Sequence, residues 1–246
     1  MRLKLILSSD KEYIYLPIHY NSAVQGMLFK SLPNLLSKFL HDIGFFHNGR
    51  KFKLYTFSKI NSPFKIFNDT KRIRFKTPIT IYISSAIKEI TKTLGETLIR
   101  KDYIKLGNNQ LYLEGLEFLP SINISDHCIK IRTLSPITAY QTIEKNGKKF
   151  YKYYNPFEEE FQRLIKENVR KKYEIITGKR IDNLDFKIKP IHSNKTLIKY
   201  KNFIVEGYDG EYLIETEPEF FNTIYDAGLG AKNSQGFGMI EIIQEN

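Results

Sequence analysis

The sequence predicts an α+β protein made of two tandem ferredoxin-like domains, and three observations support this fold class. The chain has 246 residues, which is long enough for two small domains. Hydrophobic residues make up 41% and charged residues 26%, the balance of a globular chain rather than a disordered or fibrous one. Strand and helix patterns follow one another in the same order in both halves. We therefore expect an N-terminal domain over 1–122 and a C-terminal domain over 123–246.

The first half reads as β-α-β-β-α followed by closing strands. Alternating leucines in the first ten residues predict a strand. Apolar residues at helical spacing then run from Asn21, a candidate N-cap, to Gly44, with an interruption at Pro33. The remaining predicted elements are two strands, a helix and a broken closing strand, at 52–59, 72–84, 86–101 and 103–118.

The second half repeats this order with one insertion. A strand over 127–137 is followed by two alternating arms around Asn146-Gly147, which is a strong signal for a β-hairpin. An apolar stripe predicts a helix that begins near Pro156. The later predicted elements are two strands, a short helix and a final strand, at 184–191, 197–208, 217–227 and 239–243.

The charge of the chain favours a polyanionic partner. Lysine and arginine number 38 against 27 aspartate and glutamate, a formal net charge of +11. Nucleic acid is the first candidate, because a basic surface releases the counterions of a phosphate backbone, and an anionic membrane is the second. Solvated lysine faces without a dedicated partner are the alternative.

Other classes of function find little support in the composition. The single cysteine, Cys128, excludes an internal disulfide and a cysteine-based zinc site, and it favours a reducing cytoplasm. No apolar run is long enough for a signal peptide or a membrane span, so we expect a cytoplasmic protein without a membrane partner. The five histidines show no metal-binding spacing, so neither a metal nor a cofactor is expected.

The most informative segment is the glycine-rich loop GLGAKNSQGFG at 228–238. Its glycines are Gly228, Gly230, Gly236 and Gly238, and Lys232, Asn233 and Ser234 lie between them. Such a backbone can approach an anion closely. A P-loop or dinucleotide motif would follow a strand and open a helix, whereas this loop follows a helix and enters a strand. A plain connector, in which Gly228 ends the helix, is the alternative.

The predicted hairpin around Asn146-Gly147 is both basic and aromatic. Lys145, Lys148 and Lys149 alternate with aromatic residues that include Phe150 and Tyr151. A ribbon of this kind can bind phosphates and stack bases. The alternative is a solvated hairpin with one aromatic face in the core.

Four segments together resemble the CRISPR repeat-processing endoribonucleases of the RAMP superfamily. They are the glycine-rich loop before the strand MIEI, the motif RTLSPI, the helix NPFEEEFQRLIKENVRKKY, and the first helix HYNSAVQGMLFKSL. The similarity runs nearly end to end. The loop is moderately specific alone and highly specific in combination with the other segments.

The resemblance implies a metal-independent enzyme that binds CRISPR repeat RNA and cuts precursor CRISPR RNA within each repeat. In similar members the 2′-hydroxyl attacks the adjacent phosphate and leaves a 2′,3′-cyclic phosphate and a 5′-hydroxyl. CRISPR effector subunits and a second copy of the chain are further partners to consider. The alternatives are a non-cutting RNA-binding subunit of a CRISPR ribonucleoprotein complex and, in a third class, a protein-interaction adaptor.

The resemblance also assigns candidate catalytic residues. His41 and Lys53 match the family's histidine at the end of the N-terminal helical region and its lysine at the start of the next strand. A helix C-terminus favours a protonated imidazole, which can donate to the leaving oxygen, and the lysine can stabilise phosphorane charge. Without the resemblance, a helix-end histidine and a surface lysine would be the simpler interpretation.

One position departs from the family pattern. Many relatives carry a tyrosine in the first helix where this chain has Phe29, which cannot donate or accept a proton. A full three-residue catalytic set is therefore in question. The residues that could replace the missing group are His47, Lys30, Tyr20 and Tyr55.

Overall fold

The protein was analysed as a computed structural model, which describes residues 1–120, 122, 124–145 and 147–243; the side chain of Lys145 is outside this description. The elements of the first half are β1 (Arg2–Ser8), β2 (Tyr13–Pro17), α1 (Asn21–Lys30), α2 (Asn34–Lys38), a π-helical turn (Phe39–Ile43), β3 (Phe45–His47), β4 (Arg50–Phe52), β5 (Tyr55–Phe57), β6 (Phe64–Phe67), β7 (Arg72–Lys76), β8 (Ile79–Ser85), α3 (Lys88–Ile99), β9 (Ile104–Leu106) and β10 (Asn109–Leu119).

The second half follows the same order. Its elements are β11 (Cys128–Thr133), β12 (Tyr140–Lys145), β13 (Lys148–Tyr153), α4 (Glu159–Thr177), β14 (Phe186–Tyr200), β15 (Phe203–Thr216), α5 (Pro218–Ala227), a 3-10 turn (Asn233–Gln235) and β16 (Ile240–Ile242).

Each half is built on one antiparallel sheet. The first sheet has the order β5-β8-β1-β10-β9 and the second has the order β14-β15-β11-β16. In both, the strand that opens the half lies in the interior, between the strand before the last helix and the closing strand, which is the ferredoxin-like order. The predicted α+β fold of tandem ferredoxin-like units is confirmed.

Alternation of side chains explains why β1 is central. Leu3, Leu5 and Leu7 are fully buried, and β1 pairs with β8 on one side and β10 on the other. The apolar stripe of α4 buries Phe161, Ile165 and Val169 in a separate core of the second half. None of the helices in the described residues is long and apolar enough to cross a lipid bilayer.

Three insertions decorate the two sheets. β3 and β4 form a short hairpin after the π-helical turn, and β12 and β13 form the hairpin that the sequence predicted. Asn146, at the tip of the predicted turn, lies outside the described residues. A small sheet of order β2-β7-β6 was not predicted, because 72–84 read as one strand and is divided at Pro78 into β7 and β8.

Candidate functional site

The glycine-rich loop between α5 and β16 is held from both halves of the molecule. From the second half, Lys172 of α4 donates hydrogen bonds from Nζ to the carbonyl oxygens of Gly228 (2.6 Å) and Gly230 (2.8 Å) and to Oδ1 of Asn233 (2.7 Å). Asn233 then donates from Nδ2 to the carbonyls of Leu229 and Phe237, 3.1 and 3.0 Å away. The loop is therefore closed around a buried ammonium group.

Sequence reasoning missed Lys172. Its side chain is 2% exposed, and no carboxylate is among its hydrogen-bond partners in the described residues. Burial lowers the pKa of Lys172 to about 7. The signal that could have found it is its place on the apolar stripe of α4, three residues after Val169, where a lysine interrupts a buried face.

Side chains of the first half hold the other end of the loop. Asn21 donates from Nδ2 to the carbonyl of Gln235 at 2.8 Å, and Gln25 donates from Nε2 to the carbonyl of Ser234 at 2.5 Å. Thr56 donates to the carbonyl of Phe237 at 2.9 Å. The prediction that Asn21 caps α1 is wrong, because Tyr20 occupies the cap position and the Asn21 amide binds the loop instead.

The glycines at the end of the loop are required by contacts within the protein. Gly236 and Gly238 have φ angles of +83° and +73°. A Cβ atom on Gly238 would lie 1.8 Å from the carbonyl oxygen of Leu229, and one on Gly236 would lie 2.4 Å from the ring of Phe57. Both positions therefore need glycine for folding, whatever the loop binds.

His41 is the central residue of the π-helical turn, and its side chain is 62% exposed. Its Nδ1 donates to Oδ1 of Asp42 at 2.6 Å, and this hydrogen bond lowers the pKa of the Asp42 carboxyl group. The ring packs edge-on against Phe29, with centroids 5.7 Å apart. Since Nδ1 is occupied, Nε2 is the nitrogen left to face a substrate.

Lys53 lies beside His41. Its Nζ donates to the carbonyl oxygen of His41 at 3.2 Å and lies 5.4 Å from the ring centroid of Phe29. Partial burial lowers the pKa of Lys53 below its ordinary value. The structure thus brings His41 and Lys53 together around one phenyl ring.

Two of the residues considered as replacements for the missing tyrosine, Tyr55 and Tyr20, use their hydroxyl groups in hydrogen bonds with the backbone. The Tyr55 hydroxyl donates to the carbonyl of Ser234 at 3.3 Å, and burial raises its pKa. The Tyr20 hydroxyl accepts from the backbone N–H of Ile60. The backbone carbonyl of Lys30 accepts from Lys101 at the C-terminal end of α1.

His47, the third predicted catalytic residue, joins the two halves. It ends β3, and its Nε2 lies 2.9 Å from Oε2 of Glu174 on α4. The His47 side chain is 20% exposed and that of Glu174 is 8% exposed. This contact docks the β3–β4 hairpin onto the second half and leaves His47 less accessible than His41.

Lys232 of the glycine-rich loop lies in an aromatic cage. Its Nζ is 4.5 Å from the ring centroid of Tyr140, 4.9 Å from that of Tyr151 and 4.8 Å from that of Phe203. Burial among these rings lowers the pKa of Lys232 to about 8. The cation–π contacts tie the β12–β13 hairpin to the loop.

The outer part of that hairpin extends into solvent. Lys148 and Lys149 are exposed on β13, and Phe150 beside them is 49% exposed. Lys145 pairs with Lys148 in the backbone register, and its side chain lies outside the described residues. The tip of the hairpin is thus solvated and aromatic residues at its base pack against Lys232 of the loop, while RNA binding by the hairpin stays a prediction.

A basic cleft of about 310 Å³ opens between the two halves beside the glycine-rich loop. The cations that line it come from both halves: Arg50, Lys51, Lys53, Lys171, Lys172 and Lys232. The acidic residue Glu167 also lines it. Asn233 and Ser234 also line it, and they begin a 3-10 turn, so their backbone N–H groups have no acceptor within that turn. Such a cleft suits a phosphate backbone.

No group of three or more histidine, cysteine, aspartate or glutamate side chains converges in a way that could hold a metal ion, within the part of the chain that the structure describes. The chemical groups that the site does present are an imidazole, several ammonium groups and a guanidinium group.

The second half of the chain is similar to a known protein family. The family model described as CRISPR associated protein Cas6, C-terminal, matches residues 119–242. The chain is 23% identical to the CRISPR-associated endoribonuclease Cas6 1 of Methanocaldococcus jannaschii, over all of this chain and 94% of that one.

Two solved structures share the fold. A Cas6-related protein from Pyrococcus furiosus matches with a TM-score of 0.87 and 23% identity, over all of this chain and 99% of that chain. A protein described as a RAMP protein binding different RNA substrates matches with a TM-score of 0.85 and 22% identity, over 99% of this chain and all of the other.

Proposed function

The chain belongs to the CRISPR-associated Cas6 family, and from this premise we propose that it is a metal-independent endoribonuclease that cleaves precursor CRISPR RNA within the repeat. The single observation that carries the proposal is the pairing of His41 and Lys53 next to the basic cleft. The imidazole of His41, which the Asp42 carboxylate orients, can supply an acid for phosphoryl transfer. The ammonium group of Lys53, whose Nζ lies 3.2 Å from the carbonyl oxygen of His41, can supply a cation.

The proposed reaction is an internal transesterification. The 2′-oxygen of the RNA forms a bond to the adjacent phosphorus, the bond from phosphorus to the 5′-oxygen breaks, and a 2′,3′-cyclic phosphate and a 5′-hydroxyl result. The 2′-hydroxyl loses its proton to solvent water, and the 5′-oxygen gains one. We assign the second transfer to Nε2 of His41, and charge stabilisation on the phosphorane oxygens to Nζ of Lys53.

The glycine-rich loop and the cleft provide the proposed RNA-binding surface. Asn233 and Ser234 line the cleft together with Arg50, Lys51 and Lys171, and these residues can bind successive phosphates. Gly228, Gly230, Gly236 and Gly238 act by giving the loop its shape, and the exposed Lys148 and Lys149 extend the surface along the hairpin. In this proposal the catalytic pair belongs to a domain over 1–122 and the loop to a domain over 123–246.

The chemistry is tested with repeat RNA under single turnover. We expect cleavage to proceed in excess chelator and to stop when the nucleotide before the cut carries 2′-deoxyribose, because the nucleophile is the 2′-hydroxyl of the RNA. The control RNA carries the deoxy substitution one nucleotide away and should be cut normally. Loss of cleavage in chelator with recovery in magnesium would contradict the proposal.

A second function is favoured by Phe29, whose ring lies between His41 and Lys53 without a proton to exchange. In this alternative the chain binds repeat RNA as a non-cutting subunit of a CRISPR ribonucleoprotein complex, alone or as a homodimer.

Cleavage assays of the parent chain and of the Phe29→Tyr variant separate the two functions. If the parent is an enzyme, the added hydroxyl should leave the cleavage rate unchanged or raise it slightly, because His41 and Lys53 already cover the chemistry. Absence of cleavage by the parent on every cognate repeat, with tight binding retained, would select the binding subunit. Phe39→Tyr, on a nearby ring that packs against Phe45, is the matched control.

A further inference from the structure

The small sheet of β2, β7 and β6 has two unlike faces. Its inner face buries Ile14, Leu16, Ile73 and Phe75 in the core of the first half. Residues opposite one another in an antiparallel register share a face, so the pairs Tyr15 with Arg74 and Lys65 with Arg74 place these side chains on the other side. We name this side the outer face.

The outer face is basic and carries no carboxylate. The register adds Arg72 and Lys76 to Lys65 and Arg74, which gives four cations on three short strands. Within the described residues only Lys76 has an acidic partner, and that is a distant contact of 3.8 Å with Glu12 of the preceding turn. A surface of this charge is complementary to a polyanion.

Aromatic rings lie between these cations. Tyr13, Tyr15 and Phe67 share the outer face, and the rings of Tyr15 and Phe67 have centroids 6.4 Å apart. The guanidinium carbon of Arg74 lies 4.2 Å from the Tyr13 centroid and 5.7 Å from that of Phe67, and Lys65 Nζ lies 5.5 Å from Phe67. Stacked in this way, Arg74 keeps its N–H edge for a phosphate while the rings offer faces to bases.

The strand β2, which carries part of the outer face, is also fixed in position. The backbone N–H and carbonyl of Tyr15 are both bound by the side-chain amide of Asn109, at 3.3 and 2.9 Å. The free edge of β2 is therefore occupied at its centre, which disfavours pairing with a strand of another protein. None of the residues on the outer face lines the basic cleft, so this surface is separate from the site described above.

We propose that the outer face of the small sheet is a second RNA-binding site, which stacks bases of a single-stranded segment that flanks the repeat held in the cleft. Interleaved aromatic rings and cations on a sheet face are the means by which proteins bind single-stranded nucleic acid. The identity of the RNA as precursor flank rests on the proposed function; the stacking surface itself does not.

The chain contains no tryptophan, so Tyr15→Trp places a single fluorescent indole on the outer face. We expect its emission to be quenched when oligouridylate is added, because a stacked base quenches an indole. Ile99→Trp, on an exposed apolar position of α3, is the matched control and should not respond. No quenching at concentrations that saturate binding, or equal quenching by polyglutamate, would overturn the proposal; the second result would assign the surface to an acidic protein segment.

A binding experiment measures the contribution of the surface. Tyr15→Ala combined with Arg74→Ala should lose about fivefold or more in affinity for a repeat with single-stranded flanks, since one base stack is worth at least that much. Affinity for the bare repeat should stay within about twofold of that of Tyr103→Ala combined with Arg100→Ala, which removes the same groups elsewhere. Equal affinities of both double variants for flanked RNA would overturn the proposal. Because the experiment measures binding and not cleavage, it tests the outer face even if the parent cuts no RNA.

Discussion

Two histidines that look alike in the sequence have different surroundings in the fold. His41 is exposed, bonded through Nδ1 to Asp42 and next to Lys53. His47 is largely buried against Glu174 of the other half. A carboxylate at Nδ1 fixes the orientation of an imidazole. At the scale of single residues, His41 is therefore suited to chemistry and His47 to docking.

Replacing each histidine by alanine should separate these roles. His41→Ala should slow single-turnover cleavage by about a hundredfold or more with RNA affinity near parental, because a positioned acid is worth about 10² to 10⁴ in rate. His47→Ala should be milder in rate and should instead lower the thermal midpoint of unfolding. Parental rates for both variants would refute the catalytic assignment of His41.

Among the elements, α4 and the glycine-rich loop depend on one buried cation. Lys172 donates hydrogen bonds to three oxygen atoms of the loop, and its bonds to the Gly228 and Gly230 carbonyls are buried. An unsatisfied buried acceptor costs about 1–3 kcal/mol. The loop is thus shaped by the helix below it as well as by its glycines.

Lys172→Met should lower the free energy of unfolding by about 2 kcal/mol or more near neutral pH, because it strands these acceptors. Lys171→Met is the matched control: it is the neighbouring lysine on α4, pairs with Glu167 and should cost about 1 kcal/mol or less. Urea unfolding measures both. A Lys172→Met variant as stable as the control would mean that the loop holds its shape unaided.

Urea unfolding of the parent and of Lys172→Met at several pH values tests the titration of Lys172. The pKa of Lys172 is about 7 in the folded protein, lowered from an ordinary 10.5. Between pH 7 and pH 10.5 this lysine is therefore protonated in the unfolded chain and neutral in the folded protein. Stability then rises with pH, and the gap between parent and Lys172→Met should widen by about 1.4 kcal/mol per pH unit above pH 7. A gap that does not change with pH would show that the three oxygens keep the group charged.

At the scale of the whole molecule, charge is gathered by the meeting of the two halves. The net charge of +11 is a property of the sequence, but the cleft draws Arg50 and Lys53 from the first half and Lys171 and Lys232 from the second. Polyanion binding to this cleft should therefore depend on the two halves staying docked, through contacts such as His47 with Glu174 and Lys59 with Asp209.

The salt dependence of RNA affinity measures how many cations of the cleft contact phosphates. The logarithm of RNA affinity should fall linearly with the logarithm of salt concentration, and Arg50→Ala should reduce the slope by about 0.7, the value for one phosphate contact with a single strand. Arg100→Ala removes the same charge outside the cleft and should leave the slope unchanged. A slope that Arg50→Ala does not alter would remove that residue from the interface.

The sequence by itself determined the fold class and the order of the main helices and strands, and its resemblance to the family pointed to His41, Lys53 and the glycine-rich loop. It could do so because periodicity, turn residues and motif order are local properties of the chain. Only the tertiary structure placed Lys172 under the loop, turned Asn21 from the expected cap into a loop contact, enclosed Lys232 among three rings and joined His47 to Glu174. Those contacts connect residues far apart in the chain, and burial and partner choice arise only when the sheets pack, so no local pattern could have specified them.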